Sequence, residues 1–142
     1  MPIPTRRPLG AAKLRQMALH TLLVEDNKVI RDNLIPTLEA LSVARVQGVA
    51  ETESAAMELI EAHDGHWDVA VVDLFLREGS GLSVLKRCRA REDHQYVVVF
   101  SNYATAEMRQ RALQLGADAV FDKSTEIDGL LDFLDRLSTA SH

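Results

Sequence analysis

Six polar residues stand where apolar runs of the chain break. Glu25 and Asp26 follow residues 21–24 (TLLV), Asp73 follows VAVV, Ser101 follows YVVVF, and Asp122 and Lys123 follow AVF. Singly, each has an ordinary structural role: Asp26 and Ser101 can cap helices, and Lys123 can be a solvated loop charge. As a set they can do chemistry. Three carboxylates within several ångströms repel one another and raise each other's pKa unless a cation intervenes. Such an oxygen-rich cluster suits Mg²⁺, which binds through one or two carboxylates plus waters and phosphate oxygens. A lysine opposite can neutralise a phosphoryl group, and a hydroxyl can donate a hydrogen bond to it. An aspartate beside Mg²⁺ can also act as nucleophile toward a phosphoryl donor. The stretch DVAVVDLFLREGSGL (68–82) drives four apolar residues into Asp73 and then into a turn-rich segment, which marks Asp73 as a candidate phosphoacceptor.

For these residues to meet, the runs before them must be strands ending at one edge of a sheet. The segments between the runs read as helices. Ile30, Leu34, Thr37, Leu38 and Leu41 keep helical spacing, with Asp26 or Asn27 as cap. Residues 43–49 (VARVQGV) read as a second strand. Ala56, Leu59, Ile60 and His63 mark a second helix that ends in the turn HDGH. Leu82, Leu85 and Cys88 face one way on a third, which makes Cys88 core rather than reactive. Residues 96–100 are the most β-prone segment. Ala104, Met108, Ala112 and Leu115 describe a fourth helix closed by Gly116. Ile127, Leu130, Leu131 and Leu134 face inward on a last one, with Ser124 or Thr125 as its cap. Five strands alternating with five helices imply an α/β fold with a five-stranded parallel sheet, doubly wound, with helices on both faces. Its expected order is 2-1-3-4-5, as in flavodoxin-like folds, with ligands at the carboxyl ends of strands 1 and 3.

Length and composition fit one globular domain: 142 residues, 46% hydrophobic, 26% charged. Residues 1–18 hold Arg6, Arg7, Lys13 and Arg15 and no acid, so the rest carries 12 basic and 21 acidic residues, a balance of −9. An acidic body is a poor match for nucleic acid, and no direct binding to it is expected. Pro2, Pro4, Pro8 and Gly10 make residues 1–18 an expected disordered basic arm, with the domain over 19–142. No run reaches the roughly 20 apolar residues of a membrane span. Lys13, Arg15 and His20 interrupt any signal-peptide core. The lone cysteine fits a reducing cytoplasm.

Over about residues 19–138 the chain resembles the receiver domain of two-component response regulators. The matching pieces are LLVEDN (22–27), VVDLFLREGSGL (71–82), VVVFSN (97–102) and GADAVFDKS (116–124). The resemblance implies that Asp73 accepts a phosphoryl group from a sensor histidine kinase or a histidine phosphotransfer protein and signals by a conformational switch to a downstream protein partner. It implies that Asp26 binds Mg²⁺ directly, Glu25 through water and the Phe75 carbonyl as a further ligand. Lys123 would contact the phosphoryl group and Ser101 would signal its presence. The chain would autodephosphorylate without being a turnover enzyme. It ends at His142, soon after the last helix, as a stand-alone or an excised receiver would.

Four positions depart from the family pattern. Arg77 stands where proline is frequent, and Ser124 follows the lysine where proline, often after a cis bond, is usual. A cis bond without proline costs roughly 2.5–4 kcal/mol, so a trans bond is expected. Val120 takes the strand-5 place of a switching Tyr or Phe; it is too short and stiff to swing, and Phe121 should face the other way. Phe75, two residues past Asp73, is bulky and apolar; it and Tyr103 are the aromatics expected near the phosphoryl group, with Tyr103 the one to reorient. A haloacid-dehalogenase-type enzyme would need an Asp two positions after the nucleophile, where Phe75 stands. A receiver-like interaction module that works without phosphorylation is the remaining alternative, although such modules usually lack an acid or the lysine. His63 and His66 lie three apart in a turn without further ligands and are not read as a metal site.

Overall fold

The computed structural model describes residues 18–140; the expected arm, apart from Ala18, lies outside them. Five strands, β1 (Leu19–Val24), β2 (Ala44–Ala50), β3 (Val69–Val72), β4 (Tyr96–Ser101) and β5 (Ala119–Asp122), form one parallel sheet in the order β2-β1-β3-β4-β5. Between and after them run α1 (Lys28–Leu41), α2 (Glu53–Ala62), α3 (Gly81–Cys88), α4 (Ala106–Gln114) and α5 (Ile127–Ala140). This is the expected doubly wound, flavodoxin-like arrangement.

Buried side chains divide between the two faces of the sheet. Leu22, Val24, Ala70, Val72, Val97 and Val99 face α2, α3 and α4, through partners such as Ala56, Ile60, Leu85, Cys88 and Ala112. Leu19, Leu23, Val69, Val71, Val98 and Phe100 face α1 and α5, meeting Leu34, Leu38, Leu130 and Leu134. Strands apolar on both faces are what a sheet covered on both sides requires. Val120 packs with the first set and Phe121 with the second, so the two point opposite ways. Cys88 is buried, and burial pushes its thiol up to about 11.

Local signals set the helix starts. The side chains of Asn27, Thr52, Ser80 and Thr105 each accept a backbone N–H at the first turn of α1, α2, α3 and α4. Between Asp26 and Asn27, Asn27 is the cap. At the last helix Glu126 precedes the first residue and its carbonyl accepts from Leu130, so neither Ser124 nor Thr125 holds the cap position. The β2 strand runs one residue later than its apolar pattern suggests. The β1–β2 register skips Gln47, pairing Thr21 with Val46 and Leu22 with Gly48. Among the described residues no helix is long and apolar enough to cross a membrane.

Candidate functional site at the carboxyl edge

Because neighbouring strands run parallel and in register (Val24 beside Ala50 and Val72, Val72 beside Val99, Ser101 beside Asp122), they deliver their next residues to one edge. Glu25 N–H still donates to Ala50 and Asp73 N–H to Val24, at 2.9 Å each, which ties both acids' backbones to the sheet. Glu25, Asp26 and Asp73 converge there, with one ligand oxygen from each within 4.8 Å of the others.

The cation that intervenes is Lys123. Its ammonium donates to Asp73 Oδ2 at 3.0 Å and also to Glu25 Oε1, and all three side chains are a tenth exposed or less. Burial, before any repulsion between acids, pushes the Glu25 carboxyl above the ordinary range; Lys123 and the Asn27 N–H at 3.1 Å oppose it. The repulsion from Asp73 is the smallest contribution. At Glu25 the withdrawal of water therefore outweighs the repulsion between acids.

Asp73 is held from behind. Gly81 N–H donates to Leu74 O at 2.9 Å, and a Cβ on Gly81 would fall 2.1 Å from the Asp73 carbonyl oxygen. Only glycine lets α3 approach this closely. The β3–α3 loop also bonds to α2, through Ser80 N–H to Glu53 Oε1 at 2.9 Å and Glu53 N–H to Glu78 O at 3.0 Å.

Ser101 is fully buried, and its hydroxyl accepts the Tyr103 N–H at 3.2 Å. The exposed rings of Phe75 and Tyr103 pack on each other, centroids 4.2 Å apart, and bridge the β3–α3 and β4–α4 loops. Asp122 stands apart from the acidic trio. Its Oδ1 accepts Ser124 N–H at 2.7 Å, and that bond, first among its causes, holds its carboxyl below the ordinary range. Where proline would have no N–H to give, Ser124 thus organises the turn, and the Lys123–Ser124 peptide is trans.

Sequence reasoning missed two arginine networks. Arg31 donates to the Glu25 carbonyl at 2.9 Å and pairs with Glu51 at 2.6 Å, and Arg77 joins Glu51 from the β3–α3 loop at 3.0 Å. Arg31 lies one turn past the Asn27 cap, a spacing that could have flagged it as facing the site. Arg109 of α4 donates through Nε to Ala104 O and through Nη1 to Val120 O, at 3.0 Å each, and through Nη2 to Glu126. No sequence signal marks this second network.

Residues 21–135 match the family described as Response regulator receiver domain. The chain is 31% identical over 110 residues to the "Acid tolerance regulatory protein ActR" of Rhizobium meliloti (strain 1021), covering 78% of this chain and 55% of that one. It spans about half the length of the curated relatives it matches first. Among solved structures, the receiver domain of the putative response regulator NarL from Mycobacterium tuberculosis superposes with a TM-score of 0.70 at 26% identity, covering 82% of this chain and 96% of that one. The Francisella response regulator 1452 receiver domain gives 0.74 at 24%, covering 87% and 99%.

Proposed function

The chain belongs to the response-regulator receiver-domain family, and on that premise we propose that it carries a signal as a phosphoryl group on Asp73. The observation that supports this reading best is the buried contact of Lys123 with both Glu25 and Asp73, beside an Asp26 carboxylate that completes an oxygen ligand set.

In the proposed step, an Asp73 oxygen attacks the phosphorus of a phosphohistidine on a sensor kinase or a phosphotransfer protein. The P–N bond breaks as the P–O bond forms, and the leaving imidazole takes up a proton. Lys123 then compensates charge on the acyl phosphate. Its hold on Glu25 and Asp73 keeps the ammonium aimed at the reacting oxygens without reorganisation. Glu25, Asp26, Asp73 and the Phe75 carbonyl are the groups that would hold Mg²⁺, and the all-oxygen donor set fits that ion. When bound, the ion supplies charge neutralisation for the transferring phosphoryl group. Ser101 reads the result. A hydroxyl turned onto a phosphoryl oxygen withdraws its acceptor from the Tyr103 N–H and so loosens the β4–α4 loop. The signal then leaves through the α4–β5–α5 surface toward a protein partner in the cytoplasm. Hydrolysis of the acyl phosphate resets Asp73, so the chain turns over no separate substrate.

The test is incubation with acetyl phosphate, with and without Mg²⁺, read by intact mass. Wild type should gain one phosphoryl group only with Mg²⁺, and Asp73→Asn should gain none. Stoichiometric labelling of Asp73→Asn, or labelling indifferent to a chelator, would overturn the assignment.

A further inference from the structure

Parallel strands place a second set of residues at the opposite, amino edge of the sheet, and there the fold gathers histidines that are far apart in sequence. His20 is the second residue of β1, His66 closes the α2–β3 turn, Asp68 immediately precedes β3, and His94 lies just before β4. Together with Gln47 and Gly65 these residues line one cleft of about 410 Å³. The cleft shares no residue with the phosphoacceptor site.

Two of its walls are fixed. Asp68 Oδ2 accepts the His20 N–H at 2.7 Å, and the backbones of Asp68 and His20 bond again at 2.8 Å, so both sit on the sheet and one Asp68 oxygen is left over. Gln47, the residue skipped in the β1–β2 register, meets His20 Nδ1 with its side-chain amide. The amide nitrogen is the atom placed against Nδ1; a half-turn of the amide puts its oxygen there instead, so that Nδ1 carries the proton and Nε2 keeps a free lone pair, the tautomer in which ligating histidines are held by a neighbouring carbonyl. The other two histidines are exposed on loops, His94 with its Nδ1 3.9 Å from Glu92 Oε1, an exposed pairing that ligation would have to displace. Gly65, at φ +73°, gives the turn that presents His66.

We propose that this cleft binds a late first-row divalent cation such as Zn²⁺, through the imidazoles of His20, His66 and His94 and the spare Asp68 oxygen. Three imidazoles and a carboxylate match the ligand number and type of a tetrahedral zinc site, and they favour zinc over Mg²⁺, which prefers oxygen. Among the described residues only the carboxylate trio already has its ligand atoms within 4.8 Å of one another. Binding therefore turns the His66 and His94 rings inward onto the two fixed ligands and cross-links the α2–β3 and α3–β4 loops to β1.

The chelator-treated chain of residues 1–142 is titrated with Zn²⁺ by calorimetry and with Co²⁺ by visible absorption, in excess Mg²⁺. One equivalent should bind saturably, Co²⁺ should give the intense bands of tetrahedral coordination, and zinc should raise the melting temperature. His66→Ala and His94→Ala, both at exposed positions that leave the core untouched, should each weaken binding at least tenfold. His63→Ala and His142→Ala should bind as wild type. The proposal is overturned if binding is absent or does not saturate, or if His66→Ala and His94→Ala bind as wild type. An equal loss in His63→Ala or His142→Ala would overturn it too.

Discussion

Replacing Lys123 with methionine removes a charge while keeping most of the stem's volume. Lys123 Nζ lies 3.0 Å from Asp73 Oδ2 and also pairs with Glu25, and none of the three side chains is more than 10% exposed. With an effective dielectric constant near 20, the attraction to Asp73 alone is about 5 kcal/mol before any desolvation is counted. Removing one member of a buried pair leaves its partner uncompensated and costs about 3–5 kcal/mol. The lower end applies here, because Glu25 can escape by taking up a proton. We expect a loss of about 3 kcal/mol near pH 8, or about 10 °C in melting temperature for a domain of this size.

The dependence on pH has a definite sign. Burial holds the Glu25 carboxyl above its ordinary range, and Lys123 is the cation that opposes this. A carboxyl raised in the folded state contributes stability that is complete below its unfolded pKa and is lost as pH rises through its folded value. Without Lys123 that loss grows, so the deficit should be widest near pH 8 and narrow toward about pH 5. Mg²⁺ should narrow it as well, by restoring positive charge. Urea denaturation of both proteins at the two pH values, with and without Mg²⁺, measures each quantity. A deficit under about 1 kcal/mol near pH 8, or one that ignores both pH and Mg²⁺, would refute the reasoning.

If the packed rings of Phe75 and Tyr103 shield the phosphoryl group from an in-line water, Phe75→Asn should speed its loss several-fold; an unchanged or slower rate, followed by mass, counts against shielding. Gly81→Ala forces a methyl onto the Asp73 carbonyl, and should cost about 1–3 kcal/mol in urea denaturation and slow labelling by acetyl phosphate; wild-type values in both would mean that the α3 approach is loose. With beryllofluoride as phosphoryl mimic, Ser101→Ala should lose the NMR shift changes of α4 and Tyr103→Ala should reduce them. Wild-type changes in Tyr103→Ala would remove that ring from the switch, and wild-type changes in Ser101→Ala would remove the route.

The strand ends were legible because each apolar run stops at a polar residue and parallel strands must stop at one edge, so order along the chain becomes proximity in space. The opposed directions of Val120 and Phe121 followed from strand periodicity, and the sheet order from the one that five-stranded doubly wound sheets commonly take. Side-chain partnerships did not follow. Asp122 reads like a sixth member of the set, but the strand runs through it and its carboxylate turns back onto the Ser124 N–H. The β1–β2 pairing skips Gln47, an irregularity set by the neighbouring strand that leaves no mark on β2's own pattern. His63 was the one companion visible for His66, because His20 and His94 come to line the same cleft only once β1, β3 and β4 are aligned. Arg31 and Arg109 act across elements, where spacing within one element carries no information.

The Arg109 brace bears on how a response would be graded. One planar guanidinium holds the Ala104 carbonyl ahead of α4, the Val120 carbonyl in β5 and the Glu126 carboxylate ahead of α5. A rigid fork cannot follow one acceptor by an ångström and keep the other two, so the three bonds are kept or surrendered together. In a chain whose strand-5 position holds valine in place of a swinging ring, signalling through the proposed α4–β5–α5 surface would then be a toggle with one threshold instead of a dial. Small tugs on the loop would be absorbed, and a full displacement would release three elements in a single event. One shared exchange rate across α4, β5 and α5 is the kinetic mark of such a part, and separate rates would mean that the fork bends.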